Sequence, residues 1–427
     1  MDRYRLIERI DRKLLVIIED IITQHAEEAA FLWLLRDYAV SEPDYTLEDL
    51  CHLDERVEAH LDGLRIAGEP GWEICKEALA MEEPGEVFAA AVLAYESGDA
   101  ERIALVLDLV DKDMELSNAL ISALGWIAYP KIEKTIDDLV GSKNPNYRCL
   151  GIAADTIHGI DAGEALRRAI NAEDEAVKRQ AIRAAGELGL YDTLLLIQKS
   201  LLSEEQETRF IAAWSTIMLG DRSAVEVLIP LIDSSYQQEA LNVVLRCLPI
   251  EQAKKILYSL SDQQQGDRLI TWGAGIIGDP AFIPELIVKM QEPALARVAG
   301  EAFSMITGID MEYENLEGEW PEGFEAGPTE NPEDENVEMD PDEDLAWPNQ
   351  ALIQAWWDDN GNKFTPGTRY LYGLPINKDN CIQVLNKAYQ RQRAGAAIEL
   401  ALMDKSTPLF NVGACGFWQR EWLGGSG

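Results

Sequence analysis

The sequence predicts an all-α fold: mainly a solenoid of stacked helical hairpins, with a helical cap before it and a small α(+β) module after it. Three observations lead there. First, a Gly or Pro punctuates the chain about every 30 residues, at Gly98, Gly125, Gly159, Gly189, Gly220, Pro249, Gly278 and Gly308. Second, an aspartate follows most of them closely: Asp99, Asp161, Asp192, Asp221, Asp279 and Asp310. Third, the stretches between read as amphipathic helices. Val177, Ala181, Ala184 and Leu188 stand at i, i+4, i+7 and i+11, which is one helical face. In each unit the glycine is expected to end the first helix in a left-handed conformation. The Asp, or a Pro directly after it, then opens the second helix as a cap or first-turn residue.

Residues 1–80 are helical by pattern but off the repeat, and form the cap. In "HAEEAAFLWLLRDYAV", Ala29, Leu32, Trp33 and Tyr38 fall near one side. Thr46 stands where an N-cap belongs, with acidic residues in the turn after it.

Residues 81–310 carry the repeats. "RQAIRAAGELGLYDTLLLIQKSL" parallels "RFIAAWSTIMLGDRSAVEVLIPLI", and both parallel "RLITWGAGIIGDPAFIPELIVKM". Arg148, Arg179, Arg209, Arg268 and Arg297 recur in register before their repeats' glycines. Each is expected to pair with an aspartate or carbonyl of the adjacent repeat and fix the stacking. The pattern of Arg, small residues, a Leu/Ile-Gly step, Asp and an apolar helix resembles HEAT-like repeats over roughly residues 84–310. That resemblance implies an α-solenoid with an extended binding surface, a scaffold class that does not fix function.

Trp272–Pro280, "WGAGIIGDP", also spells the dinucleotide-binding pattern G-x-G-x-x-G. That pattern needs a strand before it and an acidic residue about 20 positions on, at the end of a second strand. The flanking "QQQGDRLIT" and "ELIVKMQEP" read as helix and turn instead. Gly278 is therefore read as a helix-ending glycine, and Gly273 and Gly275 as small residues for close helix packing. No NAD site, and no other cofactor, is expected.

Residues 311–345 form an acidic, Gly/Pro-containing linker or loop, with about 16 acidic residues from 310 to 345 and no Lys or Arg. As a linker it would be dispensable: removing 312–344 should leave the solenoid folded. Glu333, Asp334, Glu335, Asp340, Asp342 and Asp344 are its candidate partner-binding carboxylates. "DPDED" is no EF-hand, because its sixth position is Leu345 and its twelfth Ala351.

Residues 346–423 read as a separate aromatic-rich module. Trp356 and Trp357 are read as core first and as an interface anchor second. From Asn380 a long helix is expected, with Ile382, Leu385, Ala388, Ala397, Leu400 and Leu402 buried. Arg391 and Arg393 are expected to reach the acidic loop. The closing residues 424–427, "GGSG", read as an appended remnant outside the fold.

The 427 residues carry 37 basic and 76 acidic side chains, a formal charge of −39. Such a chain repels nucleic-acid phosphate and anionic membrane and favours cationic partners. No apolar run reaches the roughly 18 residues of a membrane span, and the charged N-terminus lacks a signal-peptide pattern. Cys51, Cys75, Cys149, Cys247, Cys381 and Cys415 are scattered. Together these features point to the cytoplasm.

Catalytic signatures such as G-x-S-x-G, H-E-x-x-H and G-x-x-x-x-G-K-[ST] are absent from the sequence. His52, Glu55 and His60 share a helix but read as a solvated polar face, so no metal site is expected. Neither is catalysis.

The strings "QHAEEAAFLWLLRDYAV", "LDERVEAHLDGLRIAGEPGWEIC", "EPGEVFAAAVLA", "SALGWI", "RYLYGLPI" and "QRQRAGAAIELAL" together resemble an uncharacterised proteobacterial family of about this length. Its genes often lie near type VI secretion genes, a setting the resemblance implies here too; no functional residues are assigned in it. The expected function is a non-enzymatic protein-binding solenoid that holds a basic partner, as an immunity protein that blocks a toxin or as an effector adaptor. The alternatives are an enzyme with an unrecognised site and a general scaffold with several weak partners.

Overall fold

The chain is seen as a computed structural model that describes residues 18–263, 265–327 and 339–424. Among the described residues there are 22 α-helices, short 3₁₀ turns and one two-stranded sheet. The fold is an all-α solenoid with a small C-terminal strand pair. It divides into two compact units: Met1–Asp37 with Cys51–Asp137, and Tyr38–Leu50 with Asp138–Gly427. These limits are not the expected divisions at 80, 310 and 345. In particular, 346–423 is no separate module. Ile353, Tyr370, Ala401 and Leu402 share one continuous apolar core with residues 152–316.

In the first unit, Trp33 stacks on Phe88 with ring centres 5.0 Å apart, and Trp126 meets Phe88 edge-on at 5.3 Å. Arg36 and Asp54 form a buried pair at 2.9 Å. Gly98 ends helix Pro84–Ser97 at φ 66°, and the Asp99 carboxylate accepts from Glu101 N and Arg102 N to open the next helix. Gly125 departs from the expected role. It lies inside helix Ser117–Trp126, which ends instead on Ile127 in extended backbone.

In the second unit, helices Pro145–Ile157, Glu175–Glu187, Gln206–Met218, Gln237–Cys247, Gly266–Ile277 and Pro293–Thr307 begin roughly 30 residues apart, and each packs against the next. Val177, Ala181 and Ala184 are buried as their spacing requires. The partner helices are less regular than expected. Residues 191–202 and 222–233 are single α-turns between 3₁₀ turns. In the latter, Pro230 has no N–H to bond back and its ring crowds the preceding turn.

"WGAGII" belongs to helix Gly266–Ile277, and among the described residues no strand precedes it. Gly273 and Gly275 face close neighbours: a Cβ would stand 2.4 Å from Leu257 Cδ1 at the first and 3.0 Å from Ala302 Cα at the second. Gly278 (φ 73°) and Gly308 (φ 71°) end their helices left-handed. The same two positions receive the C-terminal hairpin. Strand Tyr370–Leu371 pairs with Leu374–Pro375 through a turn in which Tyr372 and Gly373 both have positive φ. Tyr370 N donates to Gly278 O at 2.8 Å, and a Cβ on Gly278 would lie 2.3 Å from Tyr370 O. Tyr372 N and Gly373 N donate to Met305 O and Ile306 O.

Arginines complete the docking. Arg369 donates to Leu245 O and Leu248 O, and Arg246 pairs with Glu399 at 2.9 Å in a buried contact. The expected long C-terminal helix is two, Lys378–Lys387 and Gln390–Met403, broken where Tyr389 and Gln392 form a capping box. Ile382 lies on the exposed side of the first.

Candidate partner-binding cleft

The arginine row shows how the cleft arises. Arg148 and Arg209 each donate to carbonyls of the loop just before their own helix, Ser142 and Lys143 for one, Ser203 and Glu204 for the other. Arg179 reaches Glu205 and Glu207 of the next repeat. The last two arginines turn to the acidic segment. Arg268 grips Asp342 with both terminal nitrogens, at 2.8 and 2.5 Å. Arg297, only 3% exposed, donates to Asp342 O at 2.6 Å and Asp340 Oδ1 at 2.9 Å. Its guanidinium carbon lies 4.9 Å from the Trp320 ring and 5.6 Å from the Trp347 ring.

The described parts of 311–345 are therefore packed rather than linker-like. Met311 and Leu316 join the core, and Gly318 N to Trp347 O and Asn349 N to Leu316 O close the two flanks together. Burial alone would raise the Asp340 carboxyl, but the Arg297 hydrogen bond and the Asp342 N–H hold it below the usual carboxylate range.

Residues 38–46 lie against the start of helix Gln390–Met403. Gln390 N donates to Tyr45 O, Gln390 Nε2 to Val40 O and Arg391 Nε to Ser41 O. Thr46 does cap its helix: Asp49 N donates to Thr46 Oγ1 while the Asp49 carboxylate accepts from Thr46 N. Arg391 does not take the role expected of it. It stands between Glu301 at 2.8 Å and Glu42 at 3.7 Å. Arg393 is fully buried, and its partners include Leu385 O, Gln390 and Gln419.

Between these pieces is a cavity of about 240 Å³. Met305, Ile309, Met311 and Ala346 give it an apolar wall. Five carboxylates also line it, those of Asp44, Glu301, Asp310, Glu312 and Asp344, against two guanidiniums, those of Arg297 and Arg391, both already paired. Tyr389 OH donates to Asp310 at 2.5 Å, and burial followed by that bond raises its phenol above the ordinary range. Tyr38, expected beside Trp33 in the core, is exposed and donates to Asp344 at 2.8 Å. That hydrogen bond pushes its phenol up to about 12. Burial raises the Glu42 and Asp44 carboxyls, and the Asp344 charge adds to both. A site with this surplus of negative charge and an aliphatic wall is complementary to an ammonium or guanidinium on an apolar stem.

Of the candidates read from sequence, Asp344 lines the cavity, while Asp340 and Asp342 are turned to the chain's own Arg297 and Arg268. Glu333, Asp334 and Glu335 lie outside the described residues. Trp356 and Trp357 are half-buried against the core, edge-on to Phe303 at 5.7 and 6.4 Å. The sequence reading passes over Asp44 and Tyr389 and takes Asp310 only as the aspartate after Gly308; only the fold brings 44 to 310 and 389.

No helix among the described residues is long and apolar enough to cross a membrane. No curated protein matches the chain. A family model described as HEAT repeats matches residues 163–248, the stretch that holds the Glu175–Glu187 and Gln206–Met218 helices and their partners. Over that stretch the chain is similar to HEAT repeats, within a fold that is an all-α solenoid with a small C-terminal strand pair.

Proposed function

We propose that the chain is a non-enzymatic, protein-binding solenoid whose partner is basic, and that the cleft at Asp44, Asp310 and Asp344 is where a lysine or arginine of that partner inserts. The observation that carries this is the surplus of cleft carboxylates left after both cleft arginines are paired. The charge of −39 adds long-range attraction and a salt-dependent on-rate. HEAT-like solenoids offer the extended surface such binding needs.

In the type VI secretion context that the family resemblance implies, the partner is a toxin domain, blocked by an immunity protein, or a spike or delivery domain, loaded by an adaptor. Affinity capture from native cells, washed at low and high salt, tests this. One dominant basic partner, weakened by salt and by D44N/D310N, is expected, and its identity as toxin or spike selects between the two roles. Absence of any partner at either salt overturns the reading.

A further inference from the structure

The first unit brings together two of the four histidines in the chain. His25 on helix Glu19–Ala39 and His60 on helix Leu47–Ala67 are 35 residues apart in sequence, yet their Nδ1 atoms lie 3.2 Å apart, with ring planes crossing at 66°. His52, the other histidine of that helix, is exposed and stands outside the pair. Two imidazole nitrogens bound to one zinc ion at about 2.0–2.1 Å in tetrahedral geometry are themselves about 3.3 Å apart. The separation already present is therefore the separation a metal requires.

We infer that His25 and His60 form a two-histidine site for a divalent transition metal of the zinc, nickel and copper class. Imidazole is the ligand type those ions favour. Each neutral ring offers its Nδ1 lone pair to the ion when its proton sits on Nε2; the ring that donates in the present Nδ1–Nδ1 contact moves that proton to its own Nε2 through solvent, so no net proton is lost. Among the described residues no group of three or more His, Cys, Asp or Glu is arranged around a metal position, so water completes the coordination.

Both rings are half-buried, which leaves a path for the ion. The His25 ring lies directly over Gly63, where a Cβ would stand 2.6 Å from it, so the ring is held by close packing. Burial, the neighbouring His25 and Arg56 lower the His60 pKa, against an opposing pull from Glu28. Glu28 lies one turn along from His25 and adds negative charge on the same side. A bound ion would tie the two helices together within this unit.

Calorimetric titration of the untagged full chain with Zn²⁺ tests the site. One ion per chain is expected, with a rise in Tm that follows metal concentration. H25Q and H60Q should each lose both effects, whereas H52Q should keep them. Circular dichroism of each variant separates loss of the site from loss of the fold. Binding by the unaltered chain should also fall away between about pH 7 and pH 5 as protons compete for the same nitrogens. Uptake of no ion by the unaltered chain at millimolar Zn²⁺, or full binding by the H25Q/H60Q double variant, overturns the proposal.

Discussion

Arg179 and Arg297 occupy the same place in two repeats of one solenoid, yet they hold different things. Arg179 is partly exposed and pairs with Glu205 and Glu207, themselves 58% and 47% exposed, in the following repeat. Arg297 is buried and pairs with Asp340 and the Asp342 carbonyl, more than 40 residues away and outside the repeats, under two tryptophan rings. The repeat supplies the same cation each time; what lies beside it decides whether that cation joins neighbours or captures a distant segment. The water left around Arg179 makes its pair weak. The lack of water around Arg297 makes loss of either partner costly.

Excision of residues 312–344 should break the comparison most severely. It removes Leu316, Trp320, Asp340 and Asp342 and leaves Arg297 buried and unpaired. The loss should exceed the ~3–5 kcal/mol of one broken buried pair, measured by chemical denaturation. An unchanged midpoint would return this segment to the dispensable linker that its composition suggests.

Arg297→Ala alone should cost about 3–5 kcal/mol, because Asp340 keeps its burial and loses its cation. Arg179→Ala should cost no more than about 1 kcal/mol, as exposed pairs do. Equal effects would mean that burial does not separate the two positions.

Gly278→Val should cost more than about 1 kcal/mol, since it meets both a left-handed backbone and Tyr370 O. Gly98→Val, at φ 66° with nothing within 4 Å, should show the backbone strain alone. The difference in melting temperature between the two then reports how tightly the C-terminal hairpin sits on the solenoid.

The smallest effect concerns pH. The folded-state pKa of Asp340 is depressed, so its contribution is present above the unfolded value of about 3.9 and is lost as pH falls through the folded pKa. Glu42 and Asp44 act in the opposite sense. Their raised pKa values mean that the charged forms weigh against folding at neutral pH, and that this is relieved as pH falls toward the folded values. Stability measured against pH should therefore lose part of its acid limb in D340N, and D44N should melt slightly higher at pH 7 but not at pH 4.

The sequence by itself determined the helical class and most of its punctuation. A helix-ending glycine and a capping aspartate act through backbone groups within a few residues, so Gly98-Asp99, Gly278-Asp279 and Thr46 were legible one at a time. The i, i+4, i+7 spacing of Val177, Ala181 and Ala184 marked a buried face for the same local reason. What only the tertiary structure decided is who meets whom. Gly125 looks like the other glycines but sits inside a helix. Arg391 looks ready for the acidic loop but finds Glu301 and Glu42 nearer. The cleft joins residues 44, 310, 344 and 389, and the histidine pair joins 25 and 60. Contacts of that kind are fixed by how helices stack and where a strand pair docks, and both depend on shape and burial summed over the whole core rather than on any short stretch of chain.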